Sequence, residues 1–231
     1  MFYPRLKQNS DQPSQAFEYP TSKVVCVGRN YLDHAKELNN PVPKSPLLFI
    51  KSVNTLVQMT NPQQIPLELV LPKGLGECHH EVEIAILVGN ELSHASVKQC
   101  SSAIAGVGLA IDLTLRESAA KPETTRGSRG ERAKCFDAAC PVSEFSSLEQ
   151  IDSKQSINFC LLINKKTVQQ GDSRDMIFDI PYLMSNISEA FTLQAGDIIL
   201  TGTPAGVGPL VKGDQIELCL QQQTQATALI V

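Results

Sequence analysis

The apolar positions of the chain fall mostly into short unbroken runs closed by glycine, proline or asparagine, the pattern of strands buried on both faces. Residues 23–27 form one such run, ended by Gly28-Arg29-Asn30, and Leu47-Leu48-Phe49-Ile50 form another, ended by Lys51. Between them Asn30 is placed to cap a short helix through Leu38, stopped by Asn39-Asn40-Pro41. Pro41, Pro43 and Pro46 keep the path beyond it extended. Residues 81–88 read as a strand closed by Gly89-Asn90, 97–105 as a helix, and 107–115 as a strand interrupted by one acid, Asp112. Residues 121–131, with proline, glycines and charges of both signs, read as an exposed loop. Residues 157–163 and 167–170 make a hairpin about Asn164-Lys165-Lys166, and 181–191 a helix with proline at its first position. A strand at 197–201 precedes a turn-rich stretch to Pro209, and strands at 216–220 and 226–231 close the chain.

Strands outnumber helices and do not alternate with them strictly, which disfavours a doubly wound nucleotide fold. With no internal repeat and no linker to split the core, residues 21–231 read as a single β-rich α+β domain. Residues 1–20, rich in Gln, Ser and Pro, read as an N-terminal arm or surface strand.

Composition narrows the function classes. Hydrophobic residues make up 42% and charged residues 19% of the 231, enough apolar surface to offset the entropy of ordering the chain. A net charge of −4 argues against nucleic acid as a partner. No apolar run approaches the roughly 18 residues of a membrane span, and the first residues lack the layout of a secretory signal. The seven cysteines are scattered, several within strand-like runs (Cys26, Cys160), as expected of small buried hydrophobes in a reducing compartment. The expected location is cytoplasmic.

The chemistry-bearing residues begin with Glu81-Val82-Glu83. On a strand, positions i and i+2 share a face about 6.6 Å apart, so the two carboxylates face together and need a cationic neighbour if buried. Asp112, alone in an apolar run, also needs a strong partner. Three carboxylates suit a hard divalent cation such as Mg²⁺. Zinc competes, because Cys78-His79-His80 precedes the acids and His79 shares their strand face. His34 and Glu37 are neighbours on one helix face, where a carboxylate on one imidazole nitrogen leaves the other free as a base. Lys134, at the edge of an apolar stretch, is placed to aim an ammonium at a developing oxyanion. The turns Gly106-Val107-Gly108 and Gly202-Thr203-Pro204-Ala205-Gly206-Val207-Gly208 lack the spacing of phosphate-binding loops and read as tight turns after strands.

Taken together, these segments resemble the fumarylacetoacetate hydrolase family, in its small acylpyruvase-like branch. The matching residues are Val27-Gly28-Arg29-Asn30-Tyr31 with His34-x-x-Glu37, Phe49-Ile50-Lys51, His80-Glu81-Val82-Glu83 and Asp112-x-Thr114-x-Arg116. They continue with Lys134, Cys140-Pro141-Val142, Met176-Ile177-Phe178, and the run from Gly196-Asp197 to Gly208, in family order. The resemblance implies a mixed β-sandwich roll with a few short helices, of the type of that family's C-terminal domain, assembled as a homodimer. It also implies Mg²⁺ or Mn²⁺ on Glu81, Glu83 and Asp112, His34 and Glu37 on a lid-like segment, and substrate contacts from Lys134, Arg116, Lys51 and Thr203. One departure bears on specificity: after Arg116 many acylpyruvase-like members continue Asp-Val-Gln, whereas this chain has Glu117-Ser118-Ala119, which leaves the substrate open.

The activity so implied is metal-dependent hydrolysis of a carbon–carbon bond in a 2,4-dioxo acid, such as fumarylpyruvate or acetylpyruvate, to pyruvate and a carboxylic acid. His34, oriented by Glu37, would activate water, and Lys134 would stabilise the oxyanion. The same site would serve oxaloacetate decarboxylation, or keto–enol tautomerisation or double-bond isomerisation of a 2-oxo acid. A catalytically silent, metal-stabilised binding protein has no need of the His34–Glu37 couple.

Overall fold

In the computed structural model, which describes residues 1–9, 12–37, 41–116, 131–148 and 156–231, the most apolar segments lie side by side. Strands Val82–Val88 and Ile104–Ile111 pair antiparallel, with Val82 opposite Ile111 and Ile86 opposite Val107. Ile198–Leu200 flanks the first of them, followed by Val24–Gly28 and then Leu47–Lys51 at the edge. This large sheet counts ten strands among the described residues. A five-stranded sheet, in the order Lys166–Asp172, Asn158–Ile163, Gln215–Leu220, Gln223–Ile230 and Leu67–Leu69, packs against it. The main core lies between them: Val25, Ile84, Ile86, Val107 and Leu109 from the large sheet meet Leu161, Ile216, Leu218 and Ala228, and Leu183, Met184 and Ile187 of helix Ile180–Ala190 join them.

The other face of the large sheet is also covered. Val24, Cys26, Ala85, Leu87, Ala110 and Leu200 form a second cluster with Phe145 and Leu6. Burial on both faces is why the strands are apolar throughout instead of alternating. The N-terminal arm supplies part of that cover: Arg5–Lys7 pairs with Phe145–Ser146 and with Gln15–Ala16, so the arm extends the sheet. Gly106 is a packing residue, since a Cβ there would lie 2.8 Å from Leu6 Cδ1 and 3.1 Å from Phe145 Cβ.

The structure corrects the expected strands at two places. The strand expected at 81–88 is one strand but begins at Val82: Glu77–His80 before it belongs to a three-stranded sheet with Thr114–Arg116 and Gly208–Pro209, and Glu81 lies between the two. The strand expected at 107–115 breaks after Ile111 and restarts at Thr114. The two segments cross from one sheet to the other together, His79 opposite Thr114 on one side and Val82 opposite Ile111 on the other. Asp112 N–H donates to Glu81 C=O across the crossing, at 2.8 Å. Both acids therefore sit at bends, outside the strict alternation of a strand.

Smaller differences follow from long-range contacts. Asn30 is not a helix cap. Its side chain is fully buried, donates to Phe178 O (3.0 Å) and Thr201 O (2.9 Å), and accepts from Phe178 N (2.9 Å). The following helix is Leu32–Glu37, and its expected end at Leu38 lies outside the described residues. Helix Val97–Ser102 is capped by Ser96 and Gln99 and ends earlier than expected, because Ile104 already pairs with Val88. The helix near Pro181 begins at Ile180, with Asp179 as its cap. The 121–131 loop lies outside the described residues except Glu131, which opens helix Glu131–Lys134. All seven cysteines are free thiols; Cys135 and Cys160 are partly exposed and the rest are buried. Among the described residues no helix is long and apolar enough to cross a membrane.

Asn30→Ala strands two carbonyls and one amide in the interior, so it should lower the unfolding free energy by about 2–4 kcal/mol. The fall is read as a lower urea midpoint at unchanged slope. A loss below about 1 kcal/mol would show that the three bonds do not hold this junction together.

Candidate metal and proton-transfer site

The double crossing brings Glu81, Glu83 and Asp112 together. One carboxylate oxygen from each lies within 4.8 Å of the others, and all three residues are buried. Such convergence needs compensating charge. Lys51 Nζ lies 2.6 Å from Asp112 Oδ1. Lys134 Nζ contacts Asp112 Oδ2 (2.5 Å), Glu81 Oε2 (3.1 Å) and Thr114 Oγ1 (2.6 Å). Arg116 Nη2 donates to Glu81 Oε1 at 3.0 Å. Glu83 has a backbone donor, Gly202 N–H, at 2.6 Å.

The carboxylates feel this arrangement unequally. Burial pushes Asp112 up, but Lys134 and Lys51 outweigh it and hold its carboxyl below the usual range. Burial pushes Glu83 well up, Asp112 adds to the push, and Gly202 N–H and Lys134 offset only part of it. Glu83 is thus the member with most to gain from a further cation.

The donor set fits a hard divalent ion. It is all oxygen and anionic, and the Lys134 ammonium already sits between two of its members as a positive charge. The zinc alternative loses its ligands to other partners. Cys78 is in the main core, His79 Nε2 lies 3.3 Å from Glu77, and His80 Nδ1 lies 2.9 Å from Gln169 Oε1. Among the described residues the cluster is Glu81, Glu83 and Asp112 alone.

His34 and Glu37 sit on helix Leu32–Glu37, which is too short to be stable by itself. The contacts of Asn30 hold its entry, and the Glu37 carboxylate accepts from Gly206 N–H at 3.1 and 3.2 Å at its other end. His34 Nδ1 lies 3.4 Å from Glu37 Oε2, and the His34 side chain is 6% exposed. Burial lowers the imidazole pKa from 6.5, against the opposing pull of Glu81 and Glu37, so the ring is neutral at pH 7. The turn that holds Glu37 has room only for glycine at its key position: Gly206 has φ +97°, and a Cβ there would press into Val168 O. Packing accounts for this glycine motif without any phosphate.

The residues that the resemblance assigned to substrate divide into two groups. Arg116 and Lys134 are partly open, with side-chain exposures of 29% and 19%, and Lys134 lies 5.1 Å from the centre of the Phe49 ring. Among the described residues Arg116 Nε is buried without a partner. Lys51 is fully buried, between Asp112 and Leu113 O, and its place is that of a counter-charge behind Asp112. Thr203 is 2% exposed, and its hydroxyl accepts from Gln169 Nε2 at 2.9 Å. The departure at Glu117-Ser118-Ala119 lies outside the described residues. Sequence reasoning missed Gln169 and the inward roles of Asn30 and His80. Asn30 lay within a quoted motif, whereas Gln169 sits in a polar hairpin with no local signal.

Two outcomes test this electrostatic picture. Mg²⁺ or Mn²⁺ at about 100 times its dissociation constant should stabilise the protein by about 2.7 kcal/mol, seen as a rise in Tm that chelator reverses and Glu83→Gln removes. Lys51→Met leaves Asp112 short of one buried counter-charge and should cost about 3–5 kcal/mol in urea unfolding.

Known proteins share this architecture. The model of the fumarylacetoacetate hydrolase C-terminal family matches residues 23–231. The chain is 41% identical to the oxaloacetate tautomerase YcgM of Escherichia coli, over 97% of this chain and 100% of that one. It is 38% identical to the mitochondrial oxaloacetate decarboxylase of Dictyostelium discoideum, over 84% of this chain and 87% of that one. A crystal structure from Oleispira antarctica, described as a fumarylacetoacetate isomerase/hydrolase, superposes with a TM-score of 0.84 at 43% identity over all of both chains. The strand-rich roll is that of the family's C-terminal domain. The chain therefore belongs to the fumarylacetoacetate hydrolase family.

Proposed function

We propose that the protein is a keto–enol tautomerase of a small 2-oxo dicarboxylic acid, with oxaloacetate as its substrate. The observation that carries the proton-transfer chemistry is His34: buried, neutral and set against Glu37, within the field of Glu81. A base in that state needs no prior deprotonation to take a proton at pH 7. Glu37, held by Gly206 N–H, accepts from His34 Nδ1 and leaves Nε2 to face the substrate. As Nε2 takes the proton from the carbon beside the 2-oxo group, the Glu37 carboxylate stabilises the charge gained by the ring. A divalent ion held by Glu81, Glu83 and Asp112 would polarise the 2-oxo group and stabilise the enolate. Among the described residues Lys134 and Arg116 are partly open cations available to substrate carboxylates. Returning the proton to the 2-oxygen completes the enol with no net change in composition.

The choice among reactions rests on the relatives. YcgM, similar over its full length, is named for oxaloacetate tautomerisation, and the Dictyostelium protein for oxaloacetate decarboxylation. Both favour oxaloacetate over the acylpyruvates expected from the sequence. Hydrolysis would in addition require a water aimed at a distal carbonyl. Decarboxylation is the second reading, supported by the Dictyostelium relative and served by the same enolate.

Three substrates separate the readings. With Mn²⁺ present, oxaloacetate should exchange keto and enol forms faster than in buffer without releasing pyruvate, and acetylpyruvate should not be cleaved. Pyruvate appearing as fast as oxaloacetate disappears selects the decarboxylase, and consumption of acetylpyruvate selects the hydrolase. His34→Gln should lower kcat by about 10²–10⁴ while Mn²⁺ still binds. Because the base acts in its neutral form and burial lowers its pKa, kcat should hold level from pH 8 to below 6.5 and fall only under more acid conditions. A decline already centred above 6.5 contradicts the assignment of His34.

A further inference from the structure

Gln169 lies on Lys166–Asp172, an edge strand of the five-stranded sheet. Its neighbour Gln170 faces outward and is exposed, whereas the Gln169 side chain points inward and is 2% exposed. A carboxamide so deeply buried is costly unless its hydrogen-bonding capacity is met. Here every position is used. Oε1 accepts from Val82 N (3.0 Å) and meets His80 Nδ1 (2.9 Å), while Nε2 donates to Thr203 Oγ1 (2.9 Å) and Pro204 O (3.0 Å).

Two of these partners fix the orientation of the amide. Val82 N–H only donates and Pro204 C=O only accepts, so the oxygen must face Val82 and the nitrogen must face Pro204. His80 must then carry a proton on Nδ1. Its Nε2 lies on the side of Gly208, where a Cβ would lie 3.3 Å away.

The two ends of the amide reach different parts of the site. Val82 is the residue between Glu81 and Glu83, so its amide nitrogen belongs to the stretch that spaces the two carboxylates. Thr203 and Pro204 belong to the turn whose Gly202 N–H holds Glu83 and whose Gly206 N–H holds Glu37. That turn is packed directly on the strand of Gln169, because Gly206 abuts Val168 O. We infer that Gln169 is a positioning residue that couples the acidic cluster to the seat of Glu37 through a single side-chain amide. The kinetic part of this inference rests on the proposed tautomerase activity; the metal and histidine parts do not.

Gln169→Met keeps the length and bulk of the side chain and removes all four polar contacts. It should weaken Mn²⁺ binding, measured by electron paramagnetic resonance, by about tenfold or more, with the outward Gln170→Met matching the parent. Its effect on kcat should not multiply with that of Glu37→Gln, because both act through the same turn. Thr203→Val cuts one bond of the amide from the other side and, as a smaller change, should move Mn²⁺ affinity in the same direction. In the parent protein, nitrogen NMR should report a proton on His80 Nδ1. The inference is overturned by Mn²⁺ affinity within about twofold of the parent in both variants, by independent effects of Gln169→Met and Glu37→Gln on kcat, or by a His80 without a proton on Nδ1. Should the parent fail to tautomerise oxaloacetate, the proposed function falls while the Mn²⁺ and NMR results still decide the role of Gln169.

Discussion

Three carboxylates held in the interior within a few ångströms of one another repel strongly, and the rest of the site is organised around that repulsion. Lys51 from an edge strand, Lys134 from a short helix and Arg116 from the small sheet each bring one positive charge to the cluster. Removing either partner of such a buried pair leaves an uncompensated charge, which is why these contacts matter more than their individual net strengths suggest. Compensation is uneven. Asp112 has two lysines, whereas Glu83 has a backbone N–H and the more distant influence of Lys134. The asymmetry leaves the cluster polarised, anionic on the Glu83 side and cationic toward Arg116 and Lys134.

Much of the fold was legible in the sequence, because the large sheet is buried on both faces and its strands are consequently apolar without interruption. The hairpin about Asn164, the helix at Pro181 and the closing strands all follow from local signals of turn and cap. Local signals could not show where two strands bend together from one sheet into another. Glu81 and Asp112 therefore looked like strand residues although both lie at the bend. Nor could they show that Asn30, well suited to cap a helix, would be drawn inward by Phe178 and Thr201, far along the chain. The N-terminal arm carries little apolar sequence, and its place beside Phe145 depends on a partner edge that only the folded sheet presents.

The candidate site was legible to a similar degree. Asp112 stood out as an acid in an apolar run, the Glu81 and Glu83 pair by sharing a strand face, the histidine couple by its spacing on one helix face, and Lys134 by its place at the edge of an apolar stretch. Competition for the histidines was not visible. His80 turns to Gln169 and His79 to Glu77, which leaves the cluster to oxygen ligands. Lys51 shows the limit of transferring a role along a motif: it is present and cationic, but it stands behind Asp112, enclosed on all sides.

The paired crossing between the sheets has a consequence for how the chain tolerates insertions and deletions. His79 to Val82 and Ile111 to Thr114 run in step, each pinned by pairing on both sides of the bend. One residue added to either segment would shift the partner register by one, and on a strand that step turns each following side chain to the opposite face. Glu83 would exchange places with a valine or isoleucine, and an acid would enter the apolar core. Single-residue length changes in these few positions should therefore be far more damaging than the substitution of almost any one of them.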